Sequence, residues 1–303
     1  MKKCKTTLVV LAAGFAAALA ARICQITLFT DMTTGFIFHD AGLLGGFCYY
    51  LPLLLVFAAA FPAVLFDEKR GGVIAAQPSG IVDGKAAAIG FGMLLFGALA
   101  VYHGVVEMKA VTPSVFAMGV DFVLGGAIII AAFATLYLKE FKPWLGFAYA
   151  AGACYFTARG VIFFIEHMAI TSVPEYLIEC LCDIALALFF MQLAKYLSGN
   201  AQKRTAAALC VIGVPAAVIS LSSSLAVILC DFFAPETVSS RIVSTTYAAE
   251  YYYQSNHGKS AYLMAYSPWT ILAAGVLAAI TLCVLCTAKK QSADSAKPED
   301  SEE

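Results

Sequence analysis

Residues 144–168 read WLGFAYAAGACYFTARGVIFFIEHM, and residues 173–197 read VPEYLIECLCDIALALFFMQLAKYL. Each stretch exceeds the roughly 20 apolar residues that a helix needs to cross a hydrocarbon core of about 30 Å. Each also carries charge within that length, Arg159 in the first and Glu179 with Asp183 in the second. The pair predicts two neighbouring membrane helices that contain buried ionisable groups.

Six further apolar stretches share the chain with this pair. The chain has a mean hydropathy of +0.83 and 13% charged residues, whereas about a quarter of the residues of soluble domains are charged. We therefore predict an all-α polytopic transmembrane helix bundle of eight spans in a single domain, residues 1–288. The other six spans cover residues 8–28, 43–66, 86–106, 114–138, 205–230 and 268–287.

The basic residues indicate the orientation of these spans. When the links are assigned alternately to the two sides, 14 of the 19 Lys and Arg fall on the side that holds both termini. Three fall on the opposite side, and Arg22 and Arg159 lie within spans. Because cytoplasmic links are enriched in Lys and Arg, we expect both termini in the cytoplasm.

Two segments outside the spans have distinctive compositions. Residues 289–303 are polar and rich in Ser and Glu, which predicts a disordered cytoplasmic tail. Residues 231–267 form the longest outer link and contain eight Phe and Tyr residues. Tyr is typical of the headgroup level of a membrane, so this link predicts an interfacial belt. A cap over the outer ends of the helices, or a surface that docks a partner, is the alternative.

The first span has two interpretations. Lys2, Lys3 and Lys5, an apolar run and Ala18-Leu19-Ala20 together resemble a secretory signal with a cleavage site. Apolar residues nevertheless continue to Phe29, which gives the length of a full span. We favour a retained helix, and both interpretations place the following link on the outer side.

Several chemistries find little support in the sequence. All ten cysteines except Cys4 lie in or at the edges of the spans, which indicates packing rather than a disulfide framework. The motifs His-Glu-x-x-His and Gly-x-Ser-x-Gly are absent. No basic run points to nucleic acid. We therefore expect no enzyme activity, no cofactor and no nucleic-acid partner.

One motif follows the first span. Arg22-x-x-Gln25, then Asp31-x-x-Thr34-Gly35-Phe36, resembles the start of a family of uncharacterised multi-pass membrane proteins of gut-type Firmicutes. The run from Pro174 through Glu179 to Phe189 and Ala194 resembles the same family. The resemblance implies the plasma membrane of a bacterium and implies no substrate.

Four charged residues are predicted to lie at one depth in the membrane. In neighbouring antiparallel helices, two residues that are equally far in sequence from the connecting link lie at the same depth. This relation places Arg159 level with about residue 181. Glu179 and Asp183 bracket that level, and the preceding link places Asp121 level with about residue 160. The sequence therefore predicts a buried polar layer of Asp121, Arg159, Glu179 and Asp183 in the outer half of the bundle.

A stripe of carboxylates on the sixth span reinforces this prediction. Glu175, Glu179 and Asp183 are spaced i, i+4, i+8 and share one helix face. Because an ionised group in lipid is costly, we expect the Arg159 guanidinium to bond at least one of Asp121, Glu179 and Asp183. Pro215 further predicts an interruption of the seventh span below its serines.

Seven residues are expected at the outer mouth of this layer. The layer has three interpretations: an ion-pair network that holds helices together, a pathway for a solute or protons, and a metal site built on His167. The third is favoured by the mixture of carboxylate and imidazole groups, although the four histidines are scattered. The expected mouth residues are Arg22, His103, Glu166, His167, Glu175, Ser222 and Ser224.

The expected function follows from this layer. The sequence favours small-solute or proton-coupled transport, or solute binding, by a multi-pass protein of the bacterial plasma membrane whose partners are the lipid bilayer and a small solute or proton. The alternative is a membrane assembly or sensory component that docks a membrane or extracytoplasmic protein partner through residues 231–267.

Overall fold

The computed structural model describes residues 4–29, 42–70, 84–108, 114–139, 141, 144–167, 174–198, 203–233 and 268–287. These residues form eight α-helices, each long and apolar enough to cross a membrane. The predicted all-α, eight-span fold is therefore confirmed. The helices are α1 (Lys5–Leu28), α2 (Gly42–Lys69), α3 (Gly84–Glu107), α4 (Val115–Leu138), α5 (Leu145–His167), α6 (Pro174–Leu197), α7 (Lys203–Phe233) and α8 (Pro268–Thr287).

Six of the helices close into a ring. Helices α3 to α8 each pack against the next helix in the chain, and α8 packs back against α3. Helices α1 and α2 pack against each other and against α7, outside this ring. Two thirds of the apolar window of α7 and of α8 is buried, compared with 22% for α1. Helices α7 and α8 therefore form the centre of the bundle.

Aromatic side chains fill the ring at mid-height. The Phe96 ring of α3 stacks on Phe156 of α5 at 5.3 Å between centroids and lies 5.2 Å from Phe190 of α6. Phe156 and Phe190 are also stacked, at 5.7 Å. Because α3 lies across the ring from α5 and α6, these contacts show that the interior is packed rather than open at this level. We call Phe96, Phe156 and Phe190 the aromatic plug.

The lateral surface of the bundle, formed by side chains that point away from its interior, is strongly apolar. Phe147 on α5 is 88% exposed, and Phe133 and Ile130 on α4 are also exposed. Contiguous apolar surface of this kind is unfavourable in water but is solvated by lipid tails. The chain is therefore a multi-pass membrane protein.

The first helix is joined to the second at one end of the bundle. The Asp67 carboxylate of α2 accepts hydrogen bonds from the Thr6 and Thr7 amides at 3.1 and 2.7 Å and from the Thr7 hydroxyl at 2.8 Å. At the same end, Lys85 Nζ of α3 donates to the Thr287 carbonyl of α8 at 2.7 Å. We call this the inner end, and the opposite end the outer end.

Two details differ from the sequence predictions. Helix α7 continues through Pro215 without interruption, since neighbouring helices bury the proline and the residues that follow it. Helix α2 extends to Lys69, so Asp67 lies in its last turns and not in the link that follows. Residues 231–233 of the predicted link form the end of α7, whereas residues 234–267 and the tail 289–303 lie outside the described residues.

Candidate functional site

Helices α5 and α6 approach closely because α5 has glycine where the two meet. A Cβ at Gly160 would lie 3.3 Å from the Asp183 Cβ. One residue earlier, Arg159 Nη2 donates to Glu179 Oε1 at 3.2 Å, and both side chains are almost buried. The structure thus contains the predicted contact between Arg159 and a carboxylate, and Glu179 provides it.

Asp183 lies one helical turn further inward from Glu179 on the same face. Its side chain is 1% exposed. Neither of its carboxyl oxygens has a hydrogen-bond partner within the described part of the chain. The charges that act on it most strongly belong to Arg159 and Glu179. The structure therefore places a carboxyl group without a hydrogen-bond donor next to an ion pair.

Asp121 on α4 is partnered by a different residue. His103 Nδ1 of α3 lies 2.7 Å from Asp121 Oδ2. Asp121 is 2% exposed, and a Cβ at Gly104 would lie 3.0 Å from its Cβ. Glycine at this position of α3 therefore lets the two helices meet at the imidazole–carboxylate pair. His103, predicted at the outer mouth, thus belongs to the layer itself.

Tyr155 connects these two pairs. Its ring is fully buried against Phe96 and Phe156 of the aromatic plug. Its hydroxyl faces both Arg159 and Asp121 and has no hydrogen bond of normal geometry within the described chain. Tyr155 therefore marks the boundary between the plug below and the charged groups above.

A second polar group lies on α1, α2 and α7. Arg22 is 1% exposed, donates to Gln25 and lies over the Tyr49 ring, 5.4 Å from its centroid. The Gln25 side-chain amide donates to the Gly45 carbonyl at 2.9 Å. The Tyr49 hydroxyl lies 2.9 Å from Ser222 Oγ. Arg22 and Ser222, predicted at the mouth, are thus buried between helices.

The contact between α6 and α7 joins the two groups. Cys182 Sγ, next in sequence to Asp183, lies 3.3 Å from Ser223 Oγ. Ser224 is buried but bonds the Ser220 carbonyl of its own helix at 2.5 Å. The polar side chains thus extend from His103 on α3 to Arg22 on α1. We call this set the outer polar layer.

Sequence reasoning identified the charged residues and two serines of the layer and missed its tyrosines. Arg159, Glu179 and Asp183 lie together as predicted, and Tyr155 lies between Arg159 and Asp121. Tyr155 and Tyr49 were missed because a buried tyrosine does not differ in sequence from one in the interfacial belt. The sequence signals were that Tyr155 lies four residues before Arg159 and that Tyr49 lies on the helix after that of Arg22.

The predicted mouth also includes Glu166, His167 and Glu175. Their side chains lie outside the described residues, and so do residues 234–267 of the proposed docking link. Among the described residues, no group of three His, Cys, Asp or Glu side chains has the arrangement of a metal site. The metal interpretation therefore has no support from the part of the chain that is described.

The comparisons with known proteins add no relatives. No protein family, curated protein or solved structure matches the chain.

Proposed function

We propose that this chain is a membrane protein that binds a small polar solute or protons in the outer polar layer and moves them across the bilayer. The observation that carries the proposal is Asp183, a buried carboxyl that has no hydrogen-bond donor among the described residues and lies beside the Arg159–Glu179 pair. Ionisable groups inside a membrane bundle typically mark solute or ion pathways.

A purely structural network explains this arrangement less well. Buried polar groups that only hold helices together are normally satisfied by hydrogen bonds, because an unsatisfied group lowers stability. The His103–Asp121 pair fits that role. Asp183 does not, since it contributes no hydrogen bond within the described chain. A buried carboxyl group that makes no hydrogen bond in one conformation of the protein can bind a proton or a solute in another.

The aromatic plug supports a pathway with one closed side. The outer polar layer lies toward the outer end of the ring, and Phe96, Phe156 and Phe190 fill the ring beneath it. A substrate that enters from the outer end therefore meets charged and hydroxyl groups before it meets an apolar barrier. Passage to the inner end requires these three rings to separate, as expected of alternating access.

We further propose a bacterial plasma membrane with both termini in the cytoplasm. The distribution of Lys and Arg between the two sides supports the orientation, and the resemblance of the Arg22-x-x-Gln25 region to Firmicutes membrane proteins supports the compartment. Single cysteines at positions 203 and 259 test the orientation in intact cells. An impermeant thiol reagent is expected to label position 259 only, and labelling of both positions would contradict the topology.

Reconstituted vesicles test the transport proposal. The purified protein is placed in liposomes that contain a pH-sensitive dye, and a pH gradient is imposed with and without amino acids, amines and carboxylates outside. We expect proton flux, alone or dependent on one solute class, that is lost in Asp183→Asn. Glu68→Gln, at the inner end of α2, is the matched control and is expected to retain the flux.

Two results would contradict the proposal. The first is the absence of flux under every gradient together with the absence of thermal stabilisation by any solute class. The second is equal flux in Asp183→Asn and in the unaltered protein, since the carboxyl group would then have no part in transport.

A further inference from the structure

Asp183 and Glu179 offer two carboxyl groups to one guanidinium. They are four residues apart on α6 and therefore share a face, with Cβ atoms about 5–6 Å apart. Arg159 of α5 bonds Glu179 at 3.2 Å. A Cβ at Gly160, the next residue of α5, would lie 3.3 Å from the Asp183 Cβ. Asp183 is thus a second carboxyl group close to the segment that carries this cation.

Among the described side chains, the other groups near Asp183 are uncharged. Helix α6 adds the thiols of Cys180 and Cys182, and the side chain of Glu175 lies outside the described residues. Helix α7 faces this region with the Ser223 hydroxyl, which is held by Cys182.

Two further charges lie near the neighbours of Asp183. Arg22 of α1 lies near Cys182, and Asp121 of α4 lies near Tyr155. Burial, together with the charges of Arg159 and Glu179, therefore sets the charge state of Asp183.

The side chains around Asp183 determine which ligand it can bind. An ionised carboxylate buried without a hydrogen-bond donor is strongly unfavourable, so the group must be neutralised. Hard metal cations require six or more oxygen ligands, and within the described chain the close neighbours of Asp183 are Gly160, two thiols and the Arg159–Glu179 pair. A proton needs only the carboxyl oxygen itself.

We infer that Asp183 is the proton-binding site of the outer polar layer, and that Arg159 exchanges Glu179 for Asp183 when this proton leaves. This inference rests on the proposed function and names its coupling ion. In the resting state Asp183 is a neutral acid and Arg159 is paired with the Glu179 carboxylate.

The exchange conserves charge within the site. The Asp183 O–H bond breaks, its proton forms a new O–H bond on Glu179, and the guanidinium moves from Glu179 to the new Asp183 carboxylate. The net charge of the three groups stays at zero before and after this step. Glu179, the outermost of the two acids and 15% exposed, then releases the proton to the outer side.

Infrared difference spectroscopy of the purified protein in lipid tests the proton directly. A protonated carboxylic acid has a carbonyl stretch that is separate from the carboxylate bands and shifts in D₂O. We expect such a band in the unaltered protein, its loss in Asp183→Asn and its retention in Glu68→Gln. The band should be unchanged when NaCl replaces choline chloride. A spectrum in which Asp183→Asn removes only carboxylate absorption would overturn the assignment.

The same measurement on Glu179→Gln tests the exchange of partners. Without the Glu179 carboxylate, the guanidinium is expected to pair with an ionised Asp183, so the acid band of Asp183 should disappear although Asp183 is present. If Glu179→Gln retains the full band, Arg159 does not change partner and that half of the inference is wrong.

Thermal unfolding separates these outcomes from misfolding. Asn has the shape and neutrality of a protonated Asp, so Asp183→Asn is expected to keep or raise the Tm. A lowered Tm would indicate that Asp183 is ionised and paired, contrary to the inference. The infrared and unfolding results do not depend on transport. If Asp183 is protonated but the protein shows no flux, the proposed function is refuted and the assignment of the Asp183 proton stands.

Discussion

At the scale of single residues, glycines determine how closely the helices of the ring approach. A Cβ at Gly152 would lie 2.4 Å from Cδ1 of Phe190, whose ring is stacked within the aromatic plug. By contrast, a Cβ at Gly126 on α4 would meet nothing within 4 Å. The two glycines look alike in the sequence and have opposite structural roles.

Gly152→Ala is expected to destabilise the protein. The Phe190 ring is held by Phe96 and Phe156 and has little room to move, so overpacking of this kind should lower the free energy of unfolding by about 1–3 kcal/mol. Gly126→Ala is the matched control and should be neutral or stabilising by up to about 1 kcal/mol, because alanine favours the helix. Thermal unfolding in detergent measures both, and equal Tm values for the two variants would contradict this packing.

A second prediction at the scale of residues concerns the stability of variants at Arg159 and Glu179. Arg159→Met leaves the Glu179 carboxyl without its guanidinium donor, which should cost about 1–3 kcal/mol. The double variant Arg159→Met with Glu179→Gln removes the charge as well and should recover most of that loss. Unfolding of both single variants and the double variant forms a thermodynamic cycle. Additive losses would show that the two side chains do not interact.

At the scale of helices, α1 depends on α2 for its first turn. Cys4, at the start of α1, makes no side-chain capping bond. The amides of Thr6 and Thr7 are bonded instead by the Asp67 carboxylate, which is 4% exposed. A helix N-terminus is thus capped by a neighbouring helix, and the two inner ends are tied together.

Asp67→Ala is expected to loosen the start of α1. Loss of a capping carboxylate typically costs about 0.5–2 kcal/mol, and the effect should appear as faster amide hydrogen exchange over residues 6–9. Glu68→Gln, the adjacent change, should leave this exchange unaltered. Unchanged protection in Asp67→Ala would show that the cap has no energetic role.

At the scale of the whole molecule, the contact between α3 and α8 closes the ring. The two helices are far apart in sequence, yet a Cβ at Gly92 would lie 3.5 Å from the Leu277 Cβ. The Lys85 ammonium also bonds the last carbonyl of α8 at 2.7 Å. This closure places Phe96 of α3 within the ring, against the side chains of α5 and α6.

A designed disulfide tests the closure. Gly92→Cys with Leu277→Cys, in a variant whose ten native cysteines are replaced, has a Cβ separation at the lower limit of the disulfide range of about 3.5–4.5 Å. We expect oxidation to join fragments produced by a protease site inserted within residues 231–267. Gly126→Cys with Leu277→Cys should not form this link. Absence of the link in the first pair would mean that the ring is open between α3 and α8.

The sequence by itself determined the spans and much of the charged layer. Apolar length sets the number of membrane helices, because every backbone polar group must be satisfied inside lipid. Short links force neighbouring helices to be antiparallel, and this fixed the shared depth of Arg159, Glu179 and Asp183 before any contact was known. The same arithmetic placed Asp121 at the level of Arg159 and offered Arg159 as its partner, whereas the structure pairs it with His103.

Only the tertiary structure decided which side chains meet. His103 pairs with Asp121, and Tyr155 stands between that pair and Arg159, because the rotation of each helix about its axis is set by packing at residues such as Gly104 and Gly160. Hydropathy determines depth along the membrane normal and contains little information on this rotation or on the closure of α3 against α8. The unpartnered Asp183 carboxyl, on which the proposed function rests, became apparent only when the neighbouring helices were in place.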